Sequence, residues 1–277
     1  MSLGWIKPKE FSFNSFLLMD RFQIRMMFQS SDWINVKAKW RQCMSISLNA
    51  NPAVKWFFKH KCPEIKNIID EITTIENLNK DPVVIRKAEV YILSSVEDFV
   101  LYTKPELMDK SCDFIYAWEK RRLFEMADFY GKTVLDVGSG SGRLTFAAAE
   151  QAEWVYSSEP VDSLREYLRD KIKQEGIKNI RVVDGMADNL AYPDSTFDVV
   201  MSGHVVGDFW DAEISELTRV CKHGGWLLDC PGDGRPTEQQ MDTEPNDDEL
   251  IKRGWEPMFY IGTLGGEVSR YRKQVLK

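Results

Sequence analysis

Val134-Leu135-Asp136-Val137-Gly138-Ser139-Gly140-Ser141-Gly142-Arg143-Leu144 is the stretch whose reading decides the fold. Val134 to Val137 reads as a buried strand running into a glycine-rich turn. The turn opens a helix that carries Leu144, Ala147 and Ala148 inward. Glycine at 138, 140 and 142 removes Cβ atoms where a ligand must approach the main chain, and it permits positive φ. The first helical amides point into the same space and favour a negative group there. In a doubly wound sheet this place, just past the carboxyl end of the strand, is where ligands sit.

Outward from the loop, short β-rich runs alternate with amphipathic helices. The expected strands are Lys132–Val137, Glu153–Ser158, Asn179–Asp184, Phe197–Ser202 and Trp226–Cys230. Between them, helices are expected over Ser141–Gln151, from Pro160 (where a first helical turn accepts proline) to Gly176, and around Ile214, Leu217 and Cys221 up to Gly224-Gly225. That order argues for parallel βαβ units. The tail departs from it. Asn246 with Glu249 is a capping-box-like helix start, Gly254 a stop, and Glu256–Leu264 and Glu267–Leu276 flank Gly265-Gly266 as a hairpin.

Before about Tyr130 the grammar is helical, with no strand-like alternation. Trp33, Val36, Trp40 and Met44 share one helical face, Ala53–Lys59 follows Pro52, and Ile65, Ile68, Ile69 and Ile72 form a stripe after Pro63. Asp81-Pro82 opens another helix. A last one is expected from Cys112 to Tyr130, with Tyr116, Leu123, Ala127 and Tyr130 along one side. The chain thus divides into a helical region, residues 1–110, and an α/β domain, residues 111–277.

The net charge of −7 over 277 residues counts against nucleic acid as the main partner, because phosphate neutralisation supplies most of that affinity. It counts equally against anionic membrane surfaces. The five cysteines form no CxxC pair, which fits free thiols in a reducing cytoplasm better than a disulfide framework or a zinc knuckle. No signal peptide of the usual shape and no membrane-length apolar run is present, so a cytoplasmic location is expected. Oligomeric state is not legible.

Glu159 ends the second strand, from which a carboxylate can accept both hydroxyl protons of a ribose. Asp136 places a second negative charge beside the loop, which would suit the α-amino group of a methionine moiety and repel a pyrophosphate. A nicotinamide fingerprint also sets an acid about 20 residues after its glycines. Asp136, Gly142 and the closing hairpin speak against that reading.

These residues carry a resemblance. The loop resembles the first motif of class I S-adenosylmethionine-dependent methyltransferases, of the type 11-like kind, in the form acidic-x-Gly-x-Gly-x-Gly. The resemblance continues through Glu159, Gly185-Met186-Ala187-Asp188-Asn189-Leu190, Asp194-Ser195-Thr196-Phe197-Asp198-Val199-Val200 and His223-Gly224-Gly225-Trp226-Leu227. It implies a Rossmann-like, seven-stranded, mainly parallel sheet with a terminal antiparallel hairpin, preceded by an α-helical N-terminal region serving as a lid. It also implies S-adenosylmethionine as cofactor, a small-molecule methyl acceptor, and no metal. Gly138, Ser139 and Gly140 would pass under the methionine part, with Asp136 beside them. Glu159, next to Pro160, would bind the ribose. Gly185, Met186 and Ala187 would flank the adenine, and Ser202 and Gly203 would close the far side. Many family members have Asp where Met186 stands, so adenine contacts here would rely on packing and main chain.

His204 follows the fourth strand on the acceptor side. It is either a general base or a residue that shapes the pocket or caps the helix near Asp211. Asp208 and Trp210 read as helix-entry and packing residues, and Asp229 and Asp233 as loop carboxylates. Arg143 reads as a solvent-facing first-turn residue. Tyr116, Trp118 and Arg122 lie on the helix leading into the sheet, where Arg122 could reach a carboxylate. The expected activity is methyl transfer; a non-catalytic module that binds the cofactor is the competing class, to be told apart by whether a cavity opens near His204.

Overall fold

Period-two alternation along the central strands divides their side chains between two buried layers. In β1 (Thr133–Val137), Val134 packs in one cluster with Leu144, Ala147 and Val155, whereas Leu135 and Val137 pack in the other with Val200, Leu217 and Leu227. A sheet covered on both faces is what parallel βαβ construction requires. The computed structural model describes residues 7–29, 37–74, 81–96, 102, 104–111, 118–207, 209–232 and 246–277.

The remaining strands are β2 (Trp154–Ser158), β3 (Ile180–Val183), β4 (Phe197–Ser202), β5 (Cys221–Asp229), β6 (Glu256–Ile261) and β7 (Glu267–Gln274). Their spatial order is β3-β2-β1-β4-β5-β7-β6. β1 to β5 run parallel, and β7 inserts antiparallel between β5 and β6. This is the expected Rossmann-like sheet with its terminal antiparallel pair. Strand order reverses between β1 and β4, so the crevice lies at their carboxyl ends.

The chain divides into two units, Met1–Ser111 and Cys112–Lys277. Among its described residues the first unit holds α1 (Arg21–Gln29), α2 (Lys37–Ala50), α3 (Pro52–Lys61), α4 (Lys66–Thr73), α5 (Pro82–Ser95) and α6 (Pro105–Ser111), and no strand. Its core is aromatic, with Phe58 edge-on to both Phe16 and Phe28, and Phe28 edge-on to Trp40. Asp81 caps α5 as its sequence suggests, its side chain accepting from the Val83 amide at 2.9 Å. Trp33 and Val36 lie outside the described residues.

The second unit adds α7 (Arg121–Phe124), α8 (Arg143–Ala148), α9 (Asp162–Glu175), α10 (Trp210–Val220) and α11 (Asn246–Lys252). Three expectations need correction. The helix expected over Cys112–Tyr130 is, among its described residues, only the single turn α7. Leu123 is buried as anticipated, but the Asp128 side chain takes the Tyr130 amide into a turn, and Tyr130 is exposed. Tyr116 lies outside the described residues. Pro160 does not start α9, which begins at Asp162 after an extended Val161. Gly224-Gly225 does not end α10. β5 already begins at Cys221, and the two glycines sit where the β4–β5 register shifts between Phe197 and Val199. A Cβ on Gly225 would stand 2.7 Å from the Asp198 carbonyl oxygen. Phe197 and Val199, on either side of this shift, pack in opposite layers despite lying two residues apart.

Candidate active site

The loop after β1 is tied to the end of β2. Gly138 and Gly140 adopt φ of 63° and 55°, a region that penalises side chains. A Cβ on Gly138 would also meet Val205 Cγ2 at 2.4 Å. The amides of Gly138 and Ser139 donate to the Ser158 carbonyl at 2.8 and 3.3 Å, and the Ser139 and Ser157 hydroxyls are 2.5 Å apart. These bonds fix the loop at the switch point of the sheet.

Glu159 completes the anchor. The Gly140 amide donates to its Oε2 at 2.8 Å and the Val161 amide to its Oε1 at 2.9 Å. The side chain is thereby aimed across the loop while only 3% exposed. A carboxylate offers about four lone-pair positions, so these two bonds alone do not saturate it. Arg165 holds the Glu159 carbonyl at 2.6 Å and Asp184 at 3.1 Å, which fixes the β2 end against the β3 end.

The other expected site residues gather along the same edge. After β3, Gly185 approaches Ser158 so closely that a Cβ would lie 2.9 Å from its hydroxyl. Met186 and Asn189 close a tight bridge around half-buried Ala187. At the end of β4, Ser202 is buried and its hydroxyl has no hydrogen-bond partner among the described residues. Gly203 passes under the Cys230 carbonyl, 2.5 Å from where its Cβ would be. His204 takes φ of 62°, and its Nε2 accepts the Gly232 amide at 3.0 Å. The bond sets the proton of the neutral ring on Nδ1. Desolvation by the surrounding protein, then the Arg143 charge, push its pKa down to about 4. Its exposed edge moderates the first effect but leaves the direction, so His204 is neutral at pH 7.

Two residues stand differently from their sequence readings. Asp136 is 1% exposed. Alternation puts it on the Val134 face, under α8, where its Oδ2 accepts from the Thr145 hydroxyl at 2.5 Å. Burial raises its pKa to about 7 against the effect of that bond and of Arg143. Arg143 does not face solvent. It donates to the Cys230 carbonyl and lies 4.8 Å from the Trp118 ring centroid. Burial, then repulsion from Arg270, push its guanidinium down to about 10. Thr145 and Arg143 were legible only in retrospect, as polar groups on a helix face that turns toward an acidic strand position. Arg122 pairs with Glu125 at 3.0 Å, and Asp211 with Arg253 at 3.0 Å. Asp208 and Asp233 lie outside the described residues. Among the described residues no helix is long and apolar enough to cross a membrane.

A Rossmann-like sheet of this order with a glycine loop at β1 and an acid closing β2 defines a class, and the comparisons agree with it. Residues 135–229 match the family model described as methyltransferase domain. The uncharacterized methyltransferase YcgJ of Bacillus subtilis is 27% identical over 97 residues, 34% of this chain and 38% of that protein. Demethylmenaquinone methyltransferase of Anoxybacillus flavithermus is 32% identical over 126 residues, 44% of this chain and 53% of that enzyme. The chain thus spans about half or less of the length of these curated relatives. A solved S-adenosylmethionine-dependent methyltransferase from Aquifex aeolicus shares the fold with a TM-score of 0.51 at 19% identity, over 62% of this chain and 99% of that one. Residues 135–229 of the C-terminal unit are thus similar to methyltransferase domains, and the unit shares the fold of a solved S-adenosylmethionine-dependent methyltransferase.

Proposed function

We propose that this protein binds S-adenosylmethionine along the carboxyl ends of β1, β2, β3 and β4 and catalyses transfer of its methyl group to a small-molecule acceptor. The observation that carries the reading is Glu159, a nearly buried carboxylate held by two main-chain amides at the edge of the glycine loop. That arrangement suits the two hydroxyls of a ribose and repels a phosphate. The left-handed glycines leave the loop bare for the methionine part. Gly185, Met186 and Ala187 stand where an adenine ring would pack, and the buried Ser202 hydroxyl supplies a polar group at the far side.

When bound, the sulfonium supplies an activated methyl and a leaving group that needs no proton. The protein's task is then alignment and exclusion of water, which can supply most of the acceleration. Gly203 lets the β4 end pack against the β5 end, and His204 stands just beyond it. The Nε2 lone pair of His204 is engaged by Gly232, so its service as a base requires that bond to open. Acceptors already deprotonated, or losing their proton to solvent after transfer, need no such step.

Calorimetric titration with S-adenosylmethionine, and with NADH as control, tests the reading. Micromolar binding of the first and none of the second is expected. Heat with NADH alone would overturn it.

A further inference from the structure

The two edges of the sheet end differently. β3, at one edge, is four residues long, carries exposed Arg181 and is followed by exposed Asp184. β6, at the other, is six residues long, and its one charge is Glu256 at the first position. A sheet edge offers a row of main-chain donors and acceptors to any second strand, and short length and charge are ordinary means of keeping one off. From Pro257 to Ile261, β6 carries no charge.

The register fixes which main-chain groups of β6 face outward. The Gly262 amide donates to the Gly266 carbonyl at 2.9 Å, which makes these two residues the first bonded pair of the hairpin. Pairing then continues without a shift from Ile261 with Glu267 to Glu256 with Arg272. Bonded and non-bonded positions alternate in an antiparallel pair. Met258 and Tyr260 therefore turn their main-chain groups toward β7, and Phe259 and Ile261 turn theirs away from the sheet. Pro257 has only a carbonyl to offer there. Strand periodicity also puts the side chains of Phe259 and Ile261 on one face, where they are 70% and 63% exposed. Met258 packs on the opposite face, against the Val134 layer. Bare main chain and bare apolar side chains thus coincide at the same two residues.

We propose that β6 pairs antiparallel with β6 of a second copy of this chain, joining two sheets edge to edge about a two-fold axis at Tyr260. The occupant follows from the strand's own chemistry. With the axis at Tyr260, Phe259 faces the partner subunit's Ile261, and Ile261 faces the partner subunit's Phe259. These are aromatic–β-branched pairs, which stabilise cross-strand contacts. Each outward amide of Phe259 and Ile261 then meets an outward carbonyl of the other copy. Pro257 falls opposite Thr263, beyond the strand, where its missing donor is not needed. An axis at Phe259 would instead set Ile261 against Pro257 and leave the Ile261 carbonyl without a donor. Charge agrees with this placement. Copies with a net charge of −7 repel at long range, so contact suits a neutral strip, and Glu256 falls opposite Leu264 rather than another acid. Such a contact uses one patch twice and closes on itself. It takes one strand a side, against about 20–30 residues a side in a standard interface, so a weak dimer with Kd of about 10–100 µM is expected.

Sedimentation velocity of the full chain from about 1 to about 300 µM, a range that brackets this Kd, is the test. A dimer that grows with concentration is expected. Hydrogen exchange at the Phe259 and Ile261 amides should slow in the concentrated sample alone. Phe259→Lys places a charge on the strip, and Ile261→Pro removes an outward amide that β7 does not use. Each should weaken the dimer at least tenfold while circular dichroism stays that of the wild type. If one variant fails to fold, the other and the wild-type exchange still decide. A chain that stays monomeric throughout, or a dimer indifferent to the substitutions, would overturn the proposal. So would edge amides that exchange alike at both concentrations; if both are slow, the edge belongs to a segment of the same chain.

Discussion

Glu159→Gln is the substitution that bears most directly on the cofactor site. The native carboxylate accepts the Gly140 amide on one oxygen and the Val161 amide on the other. Glutamine keeps the shape but turns one of those oxygens into an NH2, so one main-chain donor must face another donor. With only 3% exposure, water cannot relieve the conflict. An unsatisfied buried donor costs about 1–3 kcal/mol. For a unit of this size, each kcal/mol lowers Tm by about 2–4 °C, so a fall of roughly 2–12 °C is expected. Binding should suffer separately. A hydrogen bond to a charged group contributes about 1.5–3 kcal/mol and one to a neutral group about 0.5–1.5, so loss of the charge should weaken S-adenosylhomocysteine about tenfold. Calorimetry at 20 °C reads the affinity, and circular dichroism at the same temperature confirms that the variant is folded. A folded variant whose affinity stays within twofold of wild type would refute the ribose assignment. A variant with unchanged Tm would refute the double-amide geometry instead.

The Asp136 carboxyl, raised by burial to about 7, lies above the ~3.9 of an unfolded aspartate. The folded chain therefore holds the proton between those values, and stability falls as pH rises through that window. Asp136→Asn cannot titrate, so its Tm should gain on the wild type from pH 4 to pH 8; a pH-independent difference would contradict the burial argument. His204→Asn keeps a residue tolerant of φ near 62° and an acceptor for the Gly232 amide, so Tm should hold. If His204 is the base, kcat should drop about 10²–10⁴-fold, and the wild-type rate should show no inflection near 6.5; unchanged turnover removes the ring from the chemistry. Gly138→Ala forces a side chain into left-handed backbone at about 1–2 kcal/mol and into Val205. It should lower both Tm and cofactor affinity, and loss of neither would mean that the loop tolerates a Cβ. Residues 112–277 expressed alone should still bind S-adenosylhomocysteine, as measured by calorimetry, if the cofactor site belongs wholly to the second unit.

Much of the site was legible because its chemistry is local. A strand, three alternate glycines and an acid one strand later are contiguous or nearly so, and each imposes its conformation through short-range sterics. Gly138 and Gly140 are left-handed for that reason, and Glu159 reaches the Gly140 amide from the next strand end. The helical unit was legible for the same reason, since apolar spacing and Asp81-Pro82 act within a few turns.

What only the tertiary structure decided lies where side chains meet across strands. Asp136 reads as a ligand-facing acid, yet alternation and the α8 crossover bury it against Thr145. Arg143 reads as a surface residue, yet the carbonyl of Cys230, 87 positions later, and Trp118 draw it inward. Gly224-Gly225 reads as a helix stop, yet β5 pairs with β4 from Cys221 onward and uses the glycines to shift register. The insertion of β7 between β5 and β6, which brings Arg270 to Trp118, depends on pairing β5 with a strand some 40 residues further on. Local sterics dictate which residues can turn, extend or coil; which of them share a dry layer, and with what charge, is set by contacts between segments that no short window contains.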